Sequence, residues 1–190
     1  MNILNVGTYP PQHCGIASFS KDLMDNLKKL GESISIAAVS DPHYTYDYPN
    51  EVSYVMRRDQ KIDYAKTANA INENTSIDLV IVQHEYGIYG GTDGNYLLDF
   101  TSRLKKPFVV VTHTVLPVPT VNQRTVLRNL CQQSVAVVSM TRTSAALASQ
   151  IYEAAPDKVY VIHHGVPAFQ KKDRHLLKRE YGFWGKELVT

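Results

Sequence analysis

Short apolar runs alternate with stretches of helical spacing along the whole chain. The runs fall at residues 3–6, 34–39, 52–55, 79–82, 108–112, 135–140 and 159–162. Several are rich in Val and Ile and apolar at consecutive positions, the pattern of strands buried on both faces of a parallel sheet. Between the first two, Ile16, Phe19, Leu23, Leu27 and Leu30 recur at three- and four-residue steps. One face of that helix is apolar, and Gly31 follows at once, able to take the left-handed conformation that stops it. Tyr96, Leu97, Phe100 and Leu104 predict another helix, with Asp93 as its N-cap. Val126, Leu127 and Leu130 predict a third, and Ala145, Ala148 and Ile151 a fourth. Ile62, Ala65, Asn69 and Ile71 mark a weaker one.

Strands and helices alternating at this length predict an α/β fold: a Rossmann-like, doubly wound, mostly parallel sheet with helices on both faces. Ligands of such folds bind in the crevice at the carboxyl ends of the strands, so the loops that follow the strands are where chemistry is to be sought. The end of the chain departs from the alternation. His163-His164-Gly165-Val166-Pro167 follows the last run, then a polar helical stretch at 173–181, and Glu187-Leu188-Val189-Thr190 reads as the opening of a further strand. A strand that starts and stops leaves backbone groups unpaired. The expected organisation is therefore a domain at 1–168, with 169–190 an interdomain linker and the start of a second domain.

Composition changes this picture little. Hydrophobic residues make up 44% and charged residues 20% of the 190 residues, and the formal net charge is +2. The small basic clusters at Arg57, Arg58 and Lys61 and at Lys171, Lys172 and Arg174 are far from the stripe that a nucleic acid requires. Cys14 and Cys131 form no disulfide framework. The first residues carry no signal-peptide pattern, and no window reaches the roughly 18 apolar residues of a membrane span. The chain reads as cytoplasmic, with membrane contact at most peripheral.

Three loops carry candidate chemistry. After the first strand, Gly7-Thr8-Tyr9-Pro10-Pro11-Gln12-His13-Cys14-Gly15 opens directly into a helix. A glycine there lets backbone N–H groups approach an anion, which the helix dipole also favours, although a tight turn alone would also ask for glycine. The three-glycine dinucleotide fingerprint and the Gly-Lys-Ser/Thr phosphate loop are both absent, against a nicotinamide cofactor and a nucleotide triphosphatase. After the fourth strand, Gln83-His84-Glu85-Tyr86-Gly87-Ile88-Tyr89-Gly90-Gly91-Thr92-Asp93-Gly94 holds four glycines within eight residues, the composition of a mobile or a ligand-hugging loop. His84-Glu85 begins a zinc-protease motif, but position 88 is Ile and no other Cys or His stands at ligand spacing, so no metal is expected. After the fifth strand, His113 stands at the mouth of the crevice, placed to bond a hydroxyl or phosphate, to stabilise developing charge, or only to bond a neighbouring loop. Gln123 and Arg124 open the next helix, Arg124 facing either this opening or the surface. The Tyr-rich loop at 41–49 offers rings that either stack on sugars or cover the core.

Taken in order, these motifs resemble the amino-terminal domain of retaining GT-B glycosyltransferases of the GT4 family. Tyr9-Pro10-Pro11 with Cys14-Gly15-Ile16-Ala17-Ser18-Phe19 is similar to the family's first glycine loop and helix. Gln83-His84-Glu85-Tyr86-Gly87-Ile88 with Gly90-Gly91 is similar to its second loop, and Val111-Thr112-His113-Thr114-Val115-Leu116 with Pro119 and Gln123-Arg124 to its third. Val161-Ile162-His163-His164-Gly165-Val166-Pro167 is similar to the segment that closes the first domain. Each motif is weak singly; four in register are specific.

The resemblance implies transfer of a sugar from a nucleotide-sugar donor to a saccharide or lipid-linked acceptor, with retention of configuration, no metal and no cofactor. It places Gly15, with Cys14 and Ile16, against the donor diphosphate, and His113 beside the reacting sugar. His84, Glu85, Tyr86, Gly90, Gly91 and Arg124 fall on the acceptor side, and His164 and Gly165 between the domains. The donor-binding half of the family, with its basic phosphate clamp and paired glutamates, is not in this chain, so turnover by residues 1–190 alone is expected to be negligible. Many members carry two glycines where this chain has Cys14-Gly15, and Pro where it has His163. A nucleotide-sugar epimerase-like enzyme and a non-catalytic sugar- or nucleotide-binding module are the alternative readings.

Overall fold

Consecutive Val and Ile residues leave both faces of a strand apolar, and such strands are stable only inside a sheet covered on two sides. The computed structural model describes residues 1–166 and 172–187. Among these, seven strands form one sheet: β1 (Asn2–Gly7), β2 (Ser33–Ser40), β3 (Val52–Arg57), β4 (Leu79–His84), β5 (Phe108–Thr112), β6 (Ala136–Ser139) and β7 (Val159–Val161). The order is β3-β2-β1-β4-β5-β6-β7 and every neighbouring pair is parallel. The helices are α1 (Gly15–Lys29), α2 (Lys61–Glu73), α3 (Leu97–Thr101), α4 (Val121–Gln133), α5 (Arg142–Tyr152) and α6 (Arg174–Glu180). The predicted runs all appear as strands, with ends shifted by a residue or two.

The strand order reverses direction after β3. Right-handed crossovers then set the helix of the β1–β2 connection on one face and the helices of connections running toward β7 on the other. Packing agrees. Met24, Leu23 and Leu27 of α1 meet Ile36 and Ala38 of β2 on one side. On the other side lies the larger core, in which Leu4, Val6, Val80, Val82 and Val110 meet Ile71 of α2, Phe100 of α3, Leu127 of α4 and Ala148 of α5. Alternation along β1 and β4 therefore turns Asn5 and Gln83 toward the α1 face, although both are fully buried.

α1 begins where Cys14, in extended conformation, lets its Sγ accept from the Ala17 amide at 3.3 Å. It ends as expected at Gly31, whose φ of 89° allows a Schellman closure: the Gly31 amide donates to Lys28 and the Glu32 amide to Leu27. The apolar stripe stops at Leu27, since Leu30 is 77% exposed. α3 corrects the sequence reading. Tyr96, not Asp93, precedes its first turn, and no side chain caps it. Asp93 sits earlier, at a φ of 51°, and its carboxylate accepts from Asn122 and Gln123 of α4 at 2.9 and 3.3 Å. α6 fills the polar stretch expected to be helical, with Asp173 accepting from the His175 and Leu176 amides. The expected domain boundary at 168/169 and most of the strand expected at 187–190 lie outside the described residues. Among the described residues no helix is long and apolar enough to cross a membrane.

Candidate functional site

The sheet's switch point lies between β1 and β4, where neighbouring connections leave in opposite directions and a crevice opens above the strand ends. α1 starts at this point. Its first amides carry no intrahelical partner, as at any helix start. The Cys14 amide donates to Gln12 and the Ala17 amide to Cys14 Sγ, whereas the Gly15 and Ile16 amides have no partner among the described residues. Gly15 does not have a positive φ, so no turn requires glycine there. A Cβ added at Gly15 would meet nothing within 4 Å. What the missing side chain leaves open is the approach to two amides at the positive end of a 15-residue helix. Cys14 Sγ is held from behind by Thr8 Oγ1 at 3.0 Å.

His113 follows β5 directly, and its amide donates to the carbonyl of His84 at 3.0 Å, tying the ends of β4 and β5 together. Its ring lies on the α1 face, edge-on to Phe19 at 4.9 Å between centroids. The His164 ring meets the same Phe19 at 5.1 Å, so α1 brings the third-loop histidine and the one after β7 around a single aromatic ring. Nε2 of His113 is 2.9 Å from Gln83 Oε1, and Gln83 Nε2 donates to Asn5 Oδ1 at 2.8 Å. Burial lowers the His113 pKa to about 4, with the nearby His164 acting in the same direction. At neutral pH the ring is therefore uncharged. An imidazole in that state orients and accepts or donates one hydrogen bond; it brings no full positive charge to a leaving phosphate.

The glycine-rich loop after β4 divides into buried and open parts. His84 is 1% exposed, its ring edge-on to Tyr86 at 4.7 Å, and neither ring nitrogen has a partner among the described residues. Burial pushes its pKa down to about 3. It presents no surface to an acceptor. Glu85 is half-buried; its carboxylate accepts from the Tyr86 amide at 2.9 Å and from the Thr114 hydroxyl, joining the second loop to the third. Tyr86 is nearly buried, its hydroxyl donating to the Gln123 carbonyl at 3.4 Å. Tyr64 holds Gly90, accepting from its amide at 2.9 Å while donating to the Arg58 carbonyl at 3.0 Å. A Cβ at Gly90 would fall 1.8 Å from that carbonyl. Gly91 has a φ of 78°, which favours glycine. Tyr86, Gly90 and Gly91 line a pocket of about 550 Å³ together with Arg58, Asp59, Asp93 and Tyr96.

Arg124 does not face this opening. Its Nε donates to the Ile151 carbonyl at 3.0 Å and its guanidinium reaches toward Glu153, so it caps the end of α5. Gly165 is exposed and has open space around it. Sequence reasoning singled out neither Gln83 with Asn5 nor Arg58 with Asp59. The first pair left a trace: Asn5 is a polar residue inside an apolar run, and a buried amide needs a partner. The second left none. Among the described residues no group of three His, Cys, Asp or Glu side chains is arranged to hold a metal ion.

A seven-stranded, doubly wound parallel sheet with helices on both faces is the architecture of one domain of a GT-B glycosyltransferase. The chain belongs to Glycosyltransferase Family 4, whose model matches residues 14–168. Among solved structures it is similar to Anabaena Alr3699/HepE in complex with UDP, at a TM-score of 0.63 and 15% identity, covering 96% of this chain and 50% of that one. It is similar to a glycosyltransferase from Rickettsia africae ESF-5 at a TM-score of 0.62 and 16% identity, covering 96% and 49%. An α-glucosyltransferase in complex with UDP-glucose and DNA containing an abasic site aligns at a TM-score of 0.57 and 16% identity, covering 85% and 42%. At these identities the likeness is one of fold, and the chain spans about half the length or less of each structure. No match emerges among curated protein sequences.

Proposed function

We propose that this chain is the acceptor-side half of an enzyme that transfers a sugar from a nucleotide-sugar donor to a saccharide or lipid-linked acceptor, with retention of configuration and without a metal. The observation that carries the reading is the convergence at one crevice of the open amides of Gly15 and Ile16 and the ring of His113, joined through Phe19 of the same helix. Amides at a helix start bind the donor diphosphate and stabilise the charge that grows on it as the sugar departs. Neutral His113 orients the sugar by a hydrogen bond. The acceptor lies over the glycine loop, where Arg58, Asp59 and Asp93 bind paired hydroxyls and Tyr86 and Tyr96 offer apolar ring surface.

The family match ends at residue 168, and the wall that closes the cleft belongs to a second domain. Stabilising a leaving diphosphate takes groups converging from both walls, so residues 1–190 alone turn over negligibly. Nothing observed favours the epimerase or binding-module readings over this one. The test is product analysis on the complete protein that carries this chain, using a panel of nucleotide sugars and saccharide acceptors. A glycoside with the anomeric configuration of the donor supports the reading. An inverted product removes retention, and a donor sugar interconverted without transfer establishes the epimerase.

A further inference from the structure

The buried amide chain that ends on His113 does more than fill space. Gln83 stands at the end of β4 on the α1 face, fully buried, with Gly7 of β1 beside it. A Cβ at Gly7 would lie 3.0 Å from Gln83 Cβ and 3.3 Å from Cγ, so the end of β1 is shaped to admit this side chain. The Tyr89 hydroxyl donates to the Gln83 carbonyl at 2.7 Å and fixes its backbone. Gln83 Nε2 is committed to Asn5 Oδ1, which leaves the carboxamide oxygen facing His113 Nε2. A carboxamide oxygen only accepts. Nε2 of His113 must then carry the ring proton, and the lone pair resides on Nδ1. Nδ1 takes no partner among the described residues and is not among the buried unpartnered atoms, so it is not sealed from solvent.

We propose that Gln83 is a positioning residue: its carboxamide locks His113 in the Nε2-protonated tautomer and leaves Nδ1 as a hydrogen-bond acceptor for a hydroxyl of the donor sugar. The sugar contact rests on the function proposed above, whereas the tautomer lock does not. His113 thereby selects for a hydroxyl, which can donate, and against a bare phosphate oxygen, which cannot. The phosphate falls to the α1 amides, and the two loops divide the donor between them.

Long-range nitrogen–proton correlation spectra of the histidine-labelled chain read the tautomer directly. The expected result at neutral pH is a His113 ring protonated on Nε2 alone. A ring protonated on Nδ1, or an even mixture, would mean that the amide chain runs the other way or holds nothing, and overturns the proposal. Gln83→Leu should release the lock and give mixed tautomers; Gln83→Glu, by placing a carboxylate against Nε2, should raise the pH at which His113 titrates. An unchanged tautomer in the first variant or an unchanged titration in the second removes Gln83 from the role, and the wild-type spectrum stands as a test if neither variant folds. UDP-glucose added to the complete enzyme should then move the Nδ1 signal and leave Nε2 in place. With the lock in place and Nδ1 unresponsive to any nucleotide sugar, it is the sugar contact and the functional reading beneath it that fail.

Discussion

Acid should destabilise this domain through His84 in a way that one substitution isolates. The ring is fully buried, packs edge-on against Tyr86, and has no hydrogen-bond partner on either nitrogen among the described residues. In the unfolded chain it titrates near 6.5; in the fold, burial first and the neighbouring His113 second hold it down at about 3. The native state therefore binds fewer protons than the unfolded one throughout this window. Stability is complete above 6.5 and falls as the pH drops from there toward 3. Each pH unit costs the native state about 1.4 kcal/mol while only the unfolded chain is protonated, so the penalty at about pH 5 is about 2 kcal/mol. That figure depends on the unfolded value and hardly on the folded one. His84→Phe removes the titration and keeps a ring against Tyr86. It also removes two unpartnered buried nitrogens, so at about pH 8 the variant should be at least as stable as the wild type. Urea unfolding of both proteins at about pH 8 and about pH 5 gives a double difference in which other titrating groups cancel. The expected double difference is about 2 kcal/mol in favour of the variant at low pH. Equal losses of stability in the two proteins would refute the buried, neutral placement of His84.

Gly15→Ala should leave stability within about 0.5 kcal/mol of the wild type by urea unfolding, because the added methyl meets open space and alanine suits a helix. In the complete enzyme the same change should weaken donor binding by about tenfold or more by calorimetry, as one charge-assisted amide contact is obstructed. Gly90→Ala should do the reverse, costing about 3 kcal/mol or more in unfolding experiments as its methyl is driven into the Arg58 carbonyl. Arg124→Ala should cost under about 1 kcal/mol and leave sugar transfer unchanged, since the side chain is exposed and turned to the end of α5.

The architecture was legible because it is written in local patterns. β-branched runs marked every strand, and the spacing from Ile16 to Leu27 with Gly31 behind it marked α1. Glycine chemistry was only half legible. Gly15, Gly90 and Gly91 all stood out in the sequence, but only the structure separates a glycine with empty space above it from one pressed against a carbonyl 32 residues earlier in the chain, from Gly90 back to Arg58. Asp93 was misread for a similar reason. An acidic residue shortly before an apolar helix is the usual mark of an N-cap, yet its carboxylate is drawn to Asn122 and Gln123, a contact with α4 that no local pattern announces. His84 and Arg124 were read as site residues from their place in a motif. Which face of β4 and of α4 they occupy is set by packing, and that turned one into the core and the other toward α5. Gln83 and Asn5 are 78 positions apart, and only the adjacency of β1 and β4 brings them together.

The proposed role of this domain, one wall of a two-walled glycosyl-transfer site, calls for measuring nucleoside-diphosphate release from a panel of nucleotide sugars, in the presence of saccharide acceptors, by residues 1–190 alone and by the complete protein that carries them. No release above background is expected from the domain alone, and acceptor-dependent release is expected from the complete protein. Clear turnover by the isolated domain, or none by the complete protein with any donor and acceptor tried, would contradict that role.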